Sequence, residues 1–252
     1  MGKEVRRFLF YTFFWSWTLW GGLAILTQLN VLRFGTVLSI VLFILGGITP
    51  AVCEVWLKRK YRSTEEFQAF IKNIKNSKQP IAWYLFTIIL AFAACFLPTL
   101  WGGATKGNPL YLALIEFPIM IIGGGLEEIG WRGYLQPTLQ KKWSPFISTL
   151  IVGGIWAIWH LPLWFVIGSN QITMNFLWFT ISALALSFLL SVIYLSTESI
   201  FLCIIFHALI NALWDVYIPN TNVTSALFTL LFAFVVFTIF EIYRKKIVFK
   251  II

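Results

Sequence analysis

Residues 110–140 read LYLALIEFPIMIIGGGLEEIGWRGYLQPTLQ, and the fold turns on how far a helix runs through them. Hydropathy alone closes the apolar run at Leu126 and leaves Glu127 at a membrane edge. The stretch from Gly133 to Leu139 stays fairly apolar, however, and the first strongly polar stop is Lys141-Lys142. We therefore extend the helix to about Gln140 and start it nearer Glu116, which sets Glu127 near mid-membrane. A weakened hydropathy signal is expected where one helix face lines a wet cavity rather than lipid.

The rest of the chain agrees with a membrane setting. Of its 252 residues 59% are hydrophobic and 12% charged, against roughly 45–50% and 25% in soluble domains. The length admits at most about ten spans of roughly 20 residues, so residues 1–252 form one membrane domain without a large soluble part. Apolar runs extend over about Phe8–Leu29, Thr36–Trp56, Ile81–Leu100, Leu110–Leu126, Pro145–Ile167, Asn175–Leu195, Ile200–Ile218 and Thr224–Ile242. They predict an all-α, polytopic helix bundle of about eight transmembrane helices. The first run is too long for a signal-peptide core and lacks a small-residue cleavage site. Arg6 stands where a myristoylation signal needs Ser or Thr. Cys53, Cys95 and Cys203 lie in apolar runs without CxxC spacing, which fits packing rather than a disulfide framework.

Orientation follows from charge, because cytoplasmic loops are rich in Lys and Arg. With a cytoplasmic N-terminus, eight spans place 17 of the 19 basic residues inside and leave Arg33 and Lys106 outside. Both termini are then cytoplasmic. The net charge of +9 is thereby a topology signal that invokes no nucleic acid, and the basic inner face suits anionic lipid headgroups. The charged connection at about 57–80 carries Ser63-Thr64-Glu65-Glu66 followed by Phe67, Phe70, Ile71 and Ile74. It reads as a capped amphipathic helix on the inner membrane surface.

Ionisable groups within such a bundle are costly and mark function. The two histidines, His160 and His207, both lie in apolar runs. At 1.5 Å per residue, His160 falls about 22 Å along a helix that starts near Pro145. His207 falls about 12 Å into the next-to-last span, and Asn211 about 18 Å. Spacing of four residues puts Glu128 with Arg132, His207 with Asn211, and Trp156 with His160 on shared helix faces. Glu128 is thus neutralised by Arg132, Glu127 points about 100° away and stays free, and Trp156 walls the site. One free carboxylate, two imidazoles and an amide suffice for hydrolysis. Glu or His can take a proton from water, and Asn or His can donate to a developing oxyanion.

Glu127-Glu128-Ile129-Gly130-Trp131-Arg132 resembles the EExxxR motif of the CAAX protease and bacteriocin-processing (CPBP, Abi-type) intramembrane endopeptidase family. Trp156-Ala157-Ile158-Trp159-His160 is similar to its second motif, usually FxxxH, with Trp156 replacing Phe. His207-Ala208-Leu209-Ile210-Asn211 is similar to its third, HxxxN. The resemblance covers about 115–215, the expected catalytic core. It implies a membrane endopeptidase, multi-pass and placed in a bacterial cytoplasmic membrane, acting on a peptide or protein substrate in or at the bilayer. CAAX-like tails and bacteriocin-type peptides are the substrates it suggests. It also implies roles: Glu127 and His160 activate water, His207 and Asn211 hold the oxyanion, and Glu128 and Arg132 keep the helix in register.

Family members have also been described as metalloproteases, and Glu127, His160 and His207 could supply three zinc ligands. The metal-free version, with no cofactor, is preferred because HExxH spacing is absent and Asn211 suits an oxyanion donor better. The chief rival function is a bacteriocin immunity or regulatory protein that binds a peptide or partner without catalysis. A buried polar network that packs helices would also hold such residues, and a proton-coupled transporter is disfavoured by the lack of repeats. Trp131, Trp156, Trp159 and Trp164 could line an apolar substrate groove. Sequence does not fix the oligomeric state.

Overall fold

The helices start where the sequence supplies caps. Ser144 accepts a hydrogen bond from the Ile147 N–H, with Pro145 as the first helical residue, and Ser199 accepts from the Leu202 N–H. Asn175 accepts from the N–H groups of Leu177 and Trp178. Ser63 and Glu66 form the reciprocal capping box that their spacing predicts. Glu198, in the left-handed region at φ 51°, turns the chain directly into the Ser199 cap.

The computed structural model describes residues 2–220 and 222–251. The side chains of 217–219 and 245–251, including the expected inner-side Lys245, Lys246 and Lys250, lie outside the described set. The main helices are α1 (Lys3–Gln28), α2 (Val37–Gly47), α3 (Thr49–Tyr61), α4 (Thr64–Ile74), α5 (Ile81–Phe96) and α6 (Leu110–Gln140, broken internally). They continue with α7 (Pro145–Trp159), α8 (Phe176–Thr197), α9 (Ile200–Trp214) and α10 (Val223–Ile251). A three-residue antiparallel ribbon pairs β1 (Ala104–Lys106) with β2 (Tyr217–Pro219) at one end. The protein is an all-α, multi-pass membrane bundle with that small addition.

Six helices are long and apolar enough to cross a membrane among the described residues. The α2–α3 pair, bent by 51° beside Thr49-Pro50, makes a seventh if taken as one span. α9 has 15 residues, about 22 Å of helix against a hydrocarbon core of about 30 Å. The expected eight runs are therefore all helical, but a count of eight complete spans is not established. The physical reason is visible in α9, which packs against α5, α6 and α8 and is enclosed by protein on most of its surface.

The bundle has two chemically distinct ends. Arg62 pairs with Glu4 at 2.8 Å, and Glu4, Lys58, Arg62, Tyr134 and Lys141 line one cavity, joining the start of α1 to the ends of α3 and α6. These are the basic segments expected inside. At the other end Gln28 donates to the Phe165 carbonyl, Asn222 donates to the Gly102 carbonyl, and β1 carries Lys106. Arg132 is a correction to the charge pattern: counted with the inner loops, it is fully buried. α4 also packs onto the bundle. Its Phe70 is buried against Ala51, Ile129, Ile200 and Ile204, so the amphipathic face seals the bundle itself.

Candidate active site

The segment that decided the fold is continuous in direction but not in helix type. Regular helix ends at Gly123, a 3-10 turn spans Gly125–Glu127, one helical turn covers Glu128–Gly130, and a π turn covers Trp131–Leu135. The start is Leu110 rather than the neighbourhood of Glu116, because Pro109 precedes it and the apolar run supports helix from there. Glu127 still falls close to the middle of the 31-residue stretch. The break at Gly123-Gly124-Gly125 allows close approach to α9: a Cβ on Gly124 would overlap Asn211 Nδ2 and sit 3.3 Å from His207 Nε2. Gly130 does the same on the opposite side, where a Cβ would lie 2.7 Å from both Cβ and O of Pro50 at the α2–α3 bend. Such irregular turns are frequent at functional sites.

Glu128 and Arg132 pair as the spacing predicts, with Arg132 Nη1 2.9 Å from Glu128 Oε2 and 3.2 Å from Oε1. Both are fully buried. The structure adds a third member, since His207 Nδ1–H donates to Glu128 Oε1 at 2.8 Å. Arg132 is held from its far side by Ser187 Oγ at 3.0 Å. Glu128 therefore orients His207 as well as the helix, and His207 presents Nε2 beside Asn211 at Gly124.

Glu127 has no ion pair among the described residues, but it is not free. Its Oε2 accepts from the indole N–H of Trp156 at 2.8 Å and of Trp131 at 3.4 Å. The expectation of an unpartnered carboxylate fails because an indole N–H can satisfy buried carboxylate oxygen without charge. Trp131 lies four residues after Glu127, so the same spacing that paired Glu128 with Arg132 also marked this contact.

His160 is the C-cap of α7 rather than a mid-helix residue; Pro162 follows, and the chain continues as a 3-10 turn. Its Nδ1–H donates to the Trp156 carbonyl at 2.8 Å. A carbonyl only accepts, so a neutral His160 keeps its lone pair on Nε2. Trp20 of α1 stacks on the imidazole with ring centroids 5.8 Å apart and an interplanar angle of 23°. Trp156 meets both imidazoles edge-on, at 5.5 Å from His160 and 5.3 Å from His207. One indole thus touches Glu127, His160 and His207 together.

The tryptophans form a packed wall, not an open groove. Trp131, Trp156 and Trp159 are buried, and the Trp159 N–H donates to Ser16 Oγ. Trp164 donates to the Met174 carbonyl. The three cysteines are free and buried. Glu54, which no motif claims, is buried and lies 3.7 Å from Lys58. Among the described residues no three His, Cys, Asp or Glu stand close enough to hold a metal ion, and Glu127, His160 and His207 do not form such a group.

The fold is a multi-pass membrane bundle that buries Glu127, Glu128, Arg132 and His207 at its centre. A family model described as type II CAAX prenyl endopeptidase, Rce1-like, matches residues 107–213, which contain Glu127, Glu128, Arg132, Trp156, His160, His207 and Asn211. The protein named CAAX prenyl protease 2 from Methanococcus maripaludis is 37% identical over 100 residues, a stretch covering 37% of this chain and 37% of that one. Over this segment the chain is similar to Rce1-like CAAX prenyl endopeptidases, and it spans about a third of the length of the relative it matches.

Proposed function

We propose that the protein is an intramembrane endopeptidase that hydrolyses a peptide bond of a membrane-associated, CAAX-like peptide by a metal-free route. The observation that carries this reading is the convergence on Trp156 of Glu127, His160 and His207. Hydrogen bonds among the described residues use Glu127 Oε2 and Nδ1 of both histidines, leaving Oε1 and two Nε2 atoms for water and substrate.

In the proposed reaction Glu127 Oε1 and His160 Nε2 hold a water and take its proton as its oxygen attacks the peptide carbonyl. The carbonyl oxygen becomes an oxyanion beside Gly124, where Asn211 Nδ2–H and the imidazolium Nε2–H of His207 donate to it. The proton taken from water then passes to the leaving amine as the carbon–nitrogen bond breaks. Glu128 keeps His207 aimed through Nδ1, and Arg132 keeps Glu128 in place. The name of the archaeal relative favours a prenylated CAAX peptide as the first substrate to try.

The test is cleavage of quenched fluorescent peptides, prenylated and unmodified, by the purified protein in lipid nanodiscs. Glu127→Ala, His160→Ala and His207→Ala should each abolish cleavage while the protein still inserts and unfolds cooperatively. Full activity of Glu127→Ala would refute the reading. Activity that vanishes with a chelator and returns with zinc would replace the metal-free route by a metal-dependent one.

A further inference from the structure

Glu127 is 5% exposed, and the one guanidinium within its reach along the chain, Arg132, is spent on Glu128. A buried carboxylate without a cation needs hydrogen-bond donors. Both donors it receives come from indoles, and both fall on the same oxygen, Oε2. The terminal torsion of Glu is broad, so a carboxylate held at one oxygen by two fixed donors is restrained in a way the side chain alone does not provide.

The indoles are themselves fixed. Trp131 is fully buried between Phe8, at 5.9 Å and 86°, and Trp159, at 5.6 Å and 73°. Trp156 is 4% exposed, and its carbonyl receives the His160 Nδ1–H while its ring edges meet both imidazoles. Position 156 is also where this chain carries Trp in place of the Phe usual in the motif it resembles. A Phe would fill the same wall and meet the same imidazoles, but it has no N–H.

We infer that Trp156 is a positioning residue for water activation: its indole N–H, supported by that of Trp131, pins Oε2 of Glu127 so that Oε1 alone faces the water. Its main-chain carbonyl simultaneously holds His160 with Nε2 toward the same place. One residue therefore sets the direction of both proton acceptors, through two different atoms. The inference deepens the endopeptidase reading and rests on it for its kinetic consequence, but the hydrogen bond itself is independent of any activity.

The experiment has two arms. In the kinetic arm, Trp156→Phe keeps the aromatic wall and removes the donor. It should lower kcat about 10- to 100-fold with KM within about twofold of wild type, as expected for a misdirected catalytic group. Trp131→Phe, which removes the longer bond, should have a smaller effect on kcat. In the spectroscopic arm, protein labelled with nitrogen-15 at the indoles is examined by NMR in micelles. Glu127→Ala should move two indole N–H signals upfield, and the larger shift should be the signal missing from Trp156→Phe.

Wild-type kcat in Trp156→Phe would overturn the inference, and so would a Glu127→Ala spectrum in which the indole signals stay put. If Trp156→Phe fails to fold, the Glu127→Ala spectrum and the kcat of Trp131→Phe still decide it. If Glu127→Ala proves fully active, the peptidase mechanism falls, and Trp156 loses its positioning role even where the indole signals move.

Discussion

Replacing Arg132 by Met tests the logic of the buried centre most directly. Arg132 and Glu128 are both 0% exposed, and Glu128 receives two bonds from Arg132 and one from His207. Met fills much of the same volume without a charge, so the substitution leaves a dry carboxylate with His207 as its one remaining hydrogen-bond partner among the described residues. Removing one member of a buried pair costs about 3–5 kcal/mol. At about 2–4 °C per kcal/mol for a chain of this size, the unfolding midpoint should fall by about 6–20 °C. The double variant Glu128→Leu/Arg132→Met removes the stranded charge as well, and apolar replacement of a whole buried pair is neutral or stabilising. Its midpoint should return to near the wild-type value. Activity should not return, because His207 has lost the acceptor that orients its Nδ1–H. Thermal unfolding of the purified variants, followed by tryptophan fluorescence in detergent, is measured beside peptide cleavage. An Arg132→Met midpoint within about 2 °C of wild type would refute the energetic argument. A double variant with wild-type kcat/KM would refute the orienting role of Glu128.

Gly124→Ala probes the oxyanion position. With φ at −170° the backbone is extended and accepts Ala, so the effect comes from the new Cβ overlapping Asn211 Nδ2. Cleavage should fall about 10²–10³-fold, comparable to losing one oxyanion donor, with little change in the unfolding midpoint; retained cleavage would move the oxyanion elsewhere. Asn211→Ala should lower kcat by about the same 10²–10³-fold and leave KM nearly unchanged, and an effect confined to KM would mark Asn211 as a binding residue instead. Gly130→Ala should destabilise by about 1–3 kcal/mol, since its Cβ would meet Pro50 Cβ and O at 2.7 Å. A wild-type melting curve for that variant would show that the α2–α3 bend yields easily.

Local and tertiary information divide sharply in this chain. The spans were legible because lipid demands long apolar runs, and the Glu128–Arg132 pair and the shared face of His207 and Asn211 because four-residue spacing stacks side chains on one helix face. The same periodicity misled where it assumed a uniform helix. Gly123-Gly124-Gly125 breaks α6, and the triple glycine is the signal that was available for it. The 51° bend of the α2–α3 pair carried a similar mark in Gly46-Gly47 followed by Thr49-Pro50. What no spacing rule could show is the set of bonds across the bundle. His207 reaches Glu128 over 79 residues, and Trp156 reaches Glu127 over 29.

Those long-range bonds change the chemical reading of the site more than any local one. Spacing had divided the two carboxylates into a paired Glu128 and a free Glu127. Packing gives each an imidazole-related task instead. Glu128 takes the Nδ1–H of His207 and so directs Nε2 toward Asn211 and Gly124. Glu127 is bound by the residue whose carbonyl directs His160. Two acid–imidazole units result, one wired through a guanidinium and the other through an indole. The difference is one of charge: the guanidinium sets a cation beside Glu128, whereas an indole donor fixes the direction of Glu127 without adding one. In the proposed mechanism that distinction lets neighbouring glutamates take opposite roles, one as a static support and one as a base.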